Sequence, residues 1–465
     1  MIENIVQGSF RDPSGYVYSL DGVIHRVINK SYKENYDYLF NSGLYEILTK
    51  KDYLVKHHEK NNSSYIDNEY YKIISPTNIP FISYPYEWSF SQLKDAALLT
   101  LKVQMLALKH NMTLKDASAY NIQFKENKPI FIDTLSFERL PEGEPWQAYQ
   151  QFCQHFLAPL LLMSKKDIRL SQLLKIYIDG IPLDLTSQLL PIKTYLSFGI
   201  LSHLHLHSKL QTHYSNNQQP IRKIKKIKKI NKIDITNICE SLKNLINNLN
   251  WKPHGTEWIN YYTSNNNYEI DTMEFKKNFV SNIIKKLSPN LVWDLGANTG
   301  YFSRLSSKLG FRTISFDIDP ACVEINYLEM RDKNEINLLP LYLDLTNPSP
   351  AIGWGNTERS SIYQRNKPNL IMALALIHHL VISNNIPLKK IAELFSSLSP
   401  YLIIEFVSQD DTMVKKLLLS KKNVFEDYNK NNFEKIFGKY YKIISSKKIL
   451  NSERIIYFME RIEKS

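Results

Sequence analysis

In the second half of the chain, short runs of apolar residues alternate with stretches in which apolar residues recur at helical spacing. The runs Leu291–Leu295, Thr313–Phe316, Leu338–Leu343, Asn369–Leu374 and Tyr401–Phe406 are almost uninterrupted in hydrophobic character, as strands covered on both faces are. Between most of them lie Tyr301–Leu309, Ala321–Asp332 and Leu388–Leu398, which read as helices. This alternation predicts a doubly wound parallel sheet with helices on both faces. Two closing runs, Tyr440–Ile449 and Arg454–Glu460, are separated only by Leu450–Glu453. A link that short cannot hold a crossover, so it predicts an antiparallel hairpin.

The first half lacks this regularity, and 465 residues exceed what one core usually supports. The polar stretch Ser208–Pro220 leads into the basic run IRKIKKIKKINK over Ile221–Lys232. The break is placed there: an N-terminal α+β domain over 1–207, a polar and basic linker over 208–236, and a Rossmann-like α/β domain over 237–465. The basic run holds much of the net charge of +12 and is read as a solvated, partly helical linker. Contact with RNA or an anionic surface is the less favoured reading.

The first residues, MIENIVQGSFRDPSG, lack the features of a secretory signal. No apolar run is long enough to span a bilayer, and three widely spaced cysteines, Cys153, Cys239 and Cys322, fit reduced thiols. A soluble, cytoplasmic protein is therefore expected.

The candidate chemistry sits in VWDLGANTGYFSRLSSKLG. Asp294 ends a buried run, and Gly296, Asn298 and Gly300 follow before a helix begins. Glycines at such a strand-to-helix turn let a ligand approach the backbone. Asp317, about twenty residues beyond, ends the next run, where an acid can accept hydrogen bonds from ribose hydroxyls. Asp344 ends the third, in LYLDL, where a polar group can meet an adenine amine. Three acids at three successive strand ends face the carboxyl edge of the sheet, the edge at which ligands bind in this architecture. The spacing is neither G-x-G-x-x-G nor a Walker motif.

D-x-G-x-N-x-G after one strand, with an acid after each of the next two, resembles the cofactor motifs of class I S-adenosylmethionine-dependent methyltransferases. The resemblance implies a seven-stranded sheet whose terminal hairpin supplies one antiparallel strand. It also implies S-adenosylmethionine as cofactor: Gly296, Asn298 and Gly300 would line its methionine part, Asp294 its amino group, Asp317 its ribose and Asp344 its adenine. RDPSGYVY, YPYEWSFSQLKDAALLTL, DLTNPSPAIGWG and ALALIHHL further resemble bacterial methyltransferase-like proteins of the NoeA-like group. That likeness spans nearly the whole length and names no acceptor.

His378 and His379 follow the fourth strand and are candidate bases for the acceptor's proton, or packing and orienting groups. Zinc is not expected, because adjacent histidines lack ligand spacing. Glu405, with Asp410 and Asp411, lies beyond the fifth strand as a candidate substrate contact or a surface acid. The long insertion Leu345–Lys367 contributes Trp354 and Arg359 as candidate substrate contacts.

In the first half, Asp116 and Asn121 in LKDASAYNIQF, then Asp133 in PIFIDTLSF, resemble the catalytic loop and metal-binding aspartate of kinase-like phosphotransferases. IPFISYPYEWSF would be the hinge strand and Leu93–His110 the helix before the loop. A glycine-rich phosphate loop and a strand lysine are missing, and Leu114 stands where a kinase places His. A degenerate kinase-like scaffold that helps recognise substrate is preferred over a plain helical domain or a working kinase. His203, His205, His207 and His213 are read as an amphipathic edge or helix end rather than a metal site. The reading is a two-domain methyltransferase acting on an unidentified oxygen, nitrogen or carbon nucleophile. Its rivals are a silent S-adenosylmethionine-binding regulator and a phosphotransferase using the first half. Neither the acceptor nor the oligomeric state is encoded in a motif.

Overall fold

The structure, a computed structural model, describes residues 5–60, 70–206, 229–253, 270–411, 414–415, 418, 427–450 and 452–463. It forms two compact units: Met1–Lys252 with Ala351–Ser360, and Pro253–Pro350 with Ser361–Ser465. The division falls after Lys252 and not within 208–236. The helix Lys232–Asn247 packs on Phe90–Lys109, and Lys94 Nζ donates to the carbonyls of Asn247 and Leu249 at 2.9 and 2.8 Å, which ties that helix to the first unit. Residues 207–228, including most of the basic run, His207 and His213, lie outside the described residues.

The first unit is α+β. Strands β1 (Gly15–Leu20), β2 (Val23–Asn29), β3 (His57–Lys60) and β4 (Tyr70–Pro76) form an antiparallel sheet in the order β1-β2-β4-β3. Asp21 and Gly22, both at positive φ, make the tight turn between β1 and β2, the backbone that a two-residue hairpin requires. Two short pairs complete the strands: β5 (Met112–Leu114) with β8 (Phe137–Arg139), and β6 (Ile122–Lys125) with β7 (Lys128–Phe131).

The predicted long helix is present as Phe90–Lys109, started by a capping box between Ser89 and Gln92. The predicted hinge strand is not. Residues 77–84 are irregular and Pro85–Glu87 is a single 3₁₀ turn, since Pro80 and Pro85 carry no backbone donor for a ladder. The Gln123 carboxamide replaces a strand partner, accepting from Ser83 N and donating to Ser83 O, both at 2.9 Å.

The second unit contains β9 (Leu291–Leu295), β10 (Arg312–Asp317), β11 (Leu338–Tyr342), β12 (Leu370–Ala373), β13 (Tyr401–Val407), β14 (Tyr441–Lys448) and β15 (Arg454–Arg461). They form one seven-stranded sheet in the order β11-β10-β9-β12-β13-β15-β14. The first five are parallel, and β15 runs antiparallel to both neighbours. This is the predicted α/β sheet with the predicted terminal hairpin, and it is the class I methyltransferase fold. Strand order reverses at β9, whose Val292 pairs with Thr313 on one side and Leu370 on the other. A crevice for ligands opens at such a switch point.

Val280, Ile284, Val292, Phe302, Leu370, Met372 and Ile403 form the core on one face of this sheet. Truncating a fully buried Ile leaves a cavity as well as losing transfer free energy, so Ile403→Ala should cost about 2–5 kcal/mol. Ile336→Ala, at a side chain 52% exposed, should stay within about 0.5 kcal/mol of the parent. Urea unfolding of the two variants measures the contrast, and equal midpoints would contradict the assigned core.

Candidate functional site

The glycine turn joins β9 to the helix Tyr301–Lys308. Gly296, Asn298 and Gly300 all take positive φ, at 73°, 53° and 83°, which glycine adopts freely and asparagine tolerates. The amides of Gly296 and Ala297 both donate to Phe316 O at 2.9 Å, holding the turn against β10. At Gly300 a Cβ would lie 2.4 Å from Asn326 Oδ1. That glycine is therefore required by the helix Pro320–Asp332 packing beside it, a reason that sequence spacing does not supply.

The first two strand-end acids flank this turn. Asp294 is 2% exposed and accepts a hydrogen bond from Ser303 Oγ at 2.6 Å. Asp317 accepts from the amides of Asn298 at 2.6 Å and Asp319 at 2.8 Å. Burial is the largest influence on both and pushes Asp294 up to about 7 and Asp317 up to about 6. Two carboxyl groups poised near neutrality beside a left-handed turn suit a ligand that brings a cation and hydroxyl donors. Asp344, two residues past β11, is part-exposed. Its Oδ1 takes the amide and hydroxyl of Thr346 at 2.8 and 2.7 Å, in an Asx turn.

Beyond β12 the backbone passes through Ala375 at φ 51°, a conformation that costs energy for a residue with a Cβ. His378 and His379 follow and open the π-helical turn His379–Ser383, a form that concentrates at functional sites. Their ring centroids are 4.1 Å apart. His378 is 3% exposed, and His379 is less buried. Burial, and then neighbouring charge including Arg454, holds His378 well below the usual imidazole range and His379 at about 4.

Glu405 does not face substrate. It is fully buried, taking Lys276 Nζ at 2.7 Å and Arg454 Nη1 at 3.4 Å, while Arg454 Nε donates to Asp411 at 2.7 Å. A carboxylate this deep stays charged only with such partners, and the expectation of a substrate contact is corrected. Lys276 comes from the helix Ile270–Leu287 and Arg454 from β15. Sequence reasoning passed over both, although pairing the hairpin with β13 sets Arg454 opposite Val407.

Trp354 and Arg359 both lie in Ala351–Ser360, which belongs to the first unit. The insertion is long because it supplies a segment to the other fold. Trp354 is 76% exposed there, and Arg359 Cζ lies 4.4 Å from the ring centroid of Tyr120.

In the same unit, the kinase-like residues are partly assembled. Asn121 Nδ2 donates to Ser136 Oγ at 3.2 Å, and Ser136 Oγ donates to Asp133 Oδ2 at 2.7 Å. Asp133 Oδ1 meets Arg26 Nη1 at 2.7 Å and the Leu135 amide at 3.0 Å. A magnesium ion would have to displace that guanidinium, which tells against a phosphotransfer role. Asp116 caps its own turn through the Ser118 amide.

His203 and His205 stand in a π-helical turn, Leu201–Leu206, and not on a strand. The His203 ring nitrogens meet the hydroxyls of Tyr149 and Ser241 at 2.8 and 2.9 Å. Those of His205 meet the hydroxyls of Ser187 and Thr194 at 2.7 and 2.9 Å. Among the described residues, no group of three His, Cys, Asp or Glu side chains is placed to hold a metal ion, and no helix is long and apolar enough to cross a membrane.

No protein-family model matches the chain. Among solved structures it is similar to the magnesium protoporphyrin IX methyltransferase ChlM from Synechocystis PCC 6803, with 16% identity, coverage of 44% of this chain and 91% of that one, and a TM-score of 0.31. It is also similar to the bifunctional kinase-methyltransferase WbdD, with 13% identity, coverage of 47% and 46%, and a TM-score of 0.30. The nodulation protein NoeA of Rhizobium meliloti (strain 1021) is 31% identical over 461 residues, 98% of this chain and 96% of that protein. By that extent of shared sequence, and with a class I methyltransferase sheet in its second unit, the chain belongs to the family of the nodulation protein NoeA.

Proposed function

We propose that the second unit binds S-adenosylmethionine along the carboxyl edge of its sheet and passes the methyl group to a nucleophilic acceptor. The observation that carries this reading is the pair of carboxyl groups, Asp294 buried and Asp317 part-buried, on either side of a left-handed turn. Few ligands suit two acids placed this way; one with an ammonium group and a vicinal diol does. Asp294 would hold the amino group, Asp317 the ribose hydroxyls, and the second oxygen of Asp344 the adenine amine. The bound cofactor supplies an electrophilic methyl group.

The chain's own contribution is then orientation, exclusion of water and modest base assistance. His379, the more accessible of the two rings, would accept the acceptor's proton. His378, packed against it, would set its orientation. With its imidazole at about 4, His379 is unprotonated at neutral pH and ready to accept, but it is a weak base, so the acceptor must already be a good nucleophile. The acceptor is an oxygen, nitrogen or carbon nucleophile of a separate molecule.

Calorimetry tests the cofactor site. Asp317→Asn removes charge-assisted hydrogen bonds and should weaken S-adenosylmethionine binding by about 10–100-fold. Gly296→Val, forced from its φ of 73° and pressed 3.1 Å from Leu376 Cδ1, should give no binding heat. Unchanged affinity in both would remove the site.

The pH dependence has a defined sign. A cationic ligand favours ionised carboxylates, so below the values near 6 and 7 binding must expel protons. Affinity should climb as pH rises through that window and level off above it. A flat profile would contradict the assignment of the two acids.

Incubating the protein with a cell extract and isotopically methyl-labelled cofactor, read by mass spectrometry, should reveal a labelled metabolite. His379→Ala should slow its formation by about 10²-fold, the low end of general-base contributions, while cofactor affinity is retained. An unaltered rate would deny His379 the role of base.

A further inference from the structure

A second cluster of buried polar groups lies in the first unit, apart from every residue used above for methyl transfer. Tyr120 stands in the 3₁₀ turn Ala119–Asn121, His155 in the π-helical turn Cys153–Leu157, and Arg359 in the returning segment Ala351–Ser360. The Arg359 guanidinium lies over the Tyr120 ring at 4.4 Å. Tyr120 meets His155 edge to face at 6.0 Å and Tyr84 at 5.8 Å. Tyr84 fastens the segment by accepting the Ser360 amide at 3.0 Å.

Tyr120 Oη, His155 Nδ1 and Arg359 Nε are all buried, and none has a hydrogen-bond partner among the described residues. One orphaned polar atom is a common imperfection; three in one aromatic cluster need an explanation. His155 is 2% exposed and sits in a π-bulge, a feature that evolution retains mostly at functional positions.

The chemistry of the three atoms is that of a donor set. Arg359 Nη1 is used on Glu358 O at 3.1 Å, which leaves the Nε edge, the side of a guanidinium that grips a planar oxyanion with two parallel bonds. The Tyr120 phenol is kept protonated by burial. His155 is held neutral by burial at about 4, so its Nδ1 can carry a proton. The carboxylates around Arg359 are committed elsewhere. Glu358 pairs with Arg11 Nη2 at 3.0 Å and accepts the Trp354 amide at 2.8 Å. Asp179 pairs with Arg11 Nη1 at 3.3 Å, and Glu87 accepts the Tyr84 amide at 2.9 Å.

We infer that Arg359, Tyr120 and His155 form a binding site for a small molecule that presents a phosphate or carboxylate oxyanion. None of its residues belongs to the second unit, which carries the proposed cofactor site.

The test uses the full chain and two probes, inorganic phosphate and benzoate, titrated separately by calorimetry. Wild type should bind at least one of them at millimolar concentration with unit stoichiometry. Phosphate alone would identify a phosphate ligand, benzoate alone a carboxylate, and either supports the site. Arg359→Gln and Tyr120→Phe should each weaken the bound probe by about tenfold or more, with far-ultraviolet circular dichroism unchanged. Should Arg359→Gln fail to fold, Arg359→Lys keeps the charge, loses the two-pronged edge, and should show the same direction of change. Absence of binding by both probes to wild type, or wild-type affinity in folded variants, overturns the proposal.

Discussion

The second unit depends on withdrawing two carboxyl groups from water at the ends of adjacent parallel strands, Asp294 almost wholly and Asp317 in part. A carboxylate removed from water is expensive, and the fold only partly offsets that cost, with the hydroxyl and amide of Ser303 and the charge of Lys276 acting on Asp294, and the amides of Asn298, Ile318 and Asp319 on Asp317. Asp317 receives the Asn298 amide because the turn carrying Asn298 curls back over β10, and the turn curls because three left-handed residues at alternate positions allow it. Sheet register, turn and electrostatics are one constraint seen from three sides.

Further along the same sheet the opposite solution is used. Glu405 is as deeply buried as Asp294, yet Lys276 and Arg454 neutralise it within the protein. The contrast separates structure from function among acids that look alike in sequence. A buried acid hydrogen-bonded to its own cations is scaffolding, and one held near neutrality with no such bond to a cation is a candidate ligand group. By the same standard Asp133, tied to Arg26, is scaffolding in the first unit.

The legible part of the sequence was the part governed by local rules. Continuous apolar runs such as Leu291–Leu295 and Tyr401–Phe406 match their strands closely, because strands buried on both faces leave no polar alternation to misread. The brief interval before Arg454 declared the hairpin. The surroundings of Glu405, Trp354 and Arg359 were not legible because they come from distant chain. Lys276 lies 129 positions from Glu405, and the insertion after β11 folds with residues such as Arg11 and Tyr84. The hinge expected over 79–90 failed for a local reason, two prolines, that a stricter reading of the same residues would have caught.

The central claim is that, between the values near 6 and near 7, Asp294 carries a proton in the free protein that the cofactor displaces. Difference infrared spectroscopy reads this directly, at a pH between the values near 6 and near 7. Adding S-adenosylmethionine should erase a protonated-carboxyl stretch and raise a carboxylate band, and the change should be missing in Asp294→Asn. An unaltered carboxyl region on binding, or the same change in Asp294→Asn, would contradict the account.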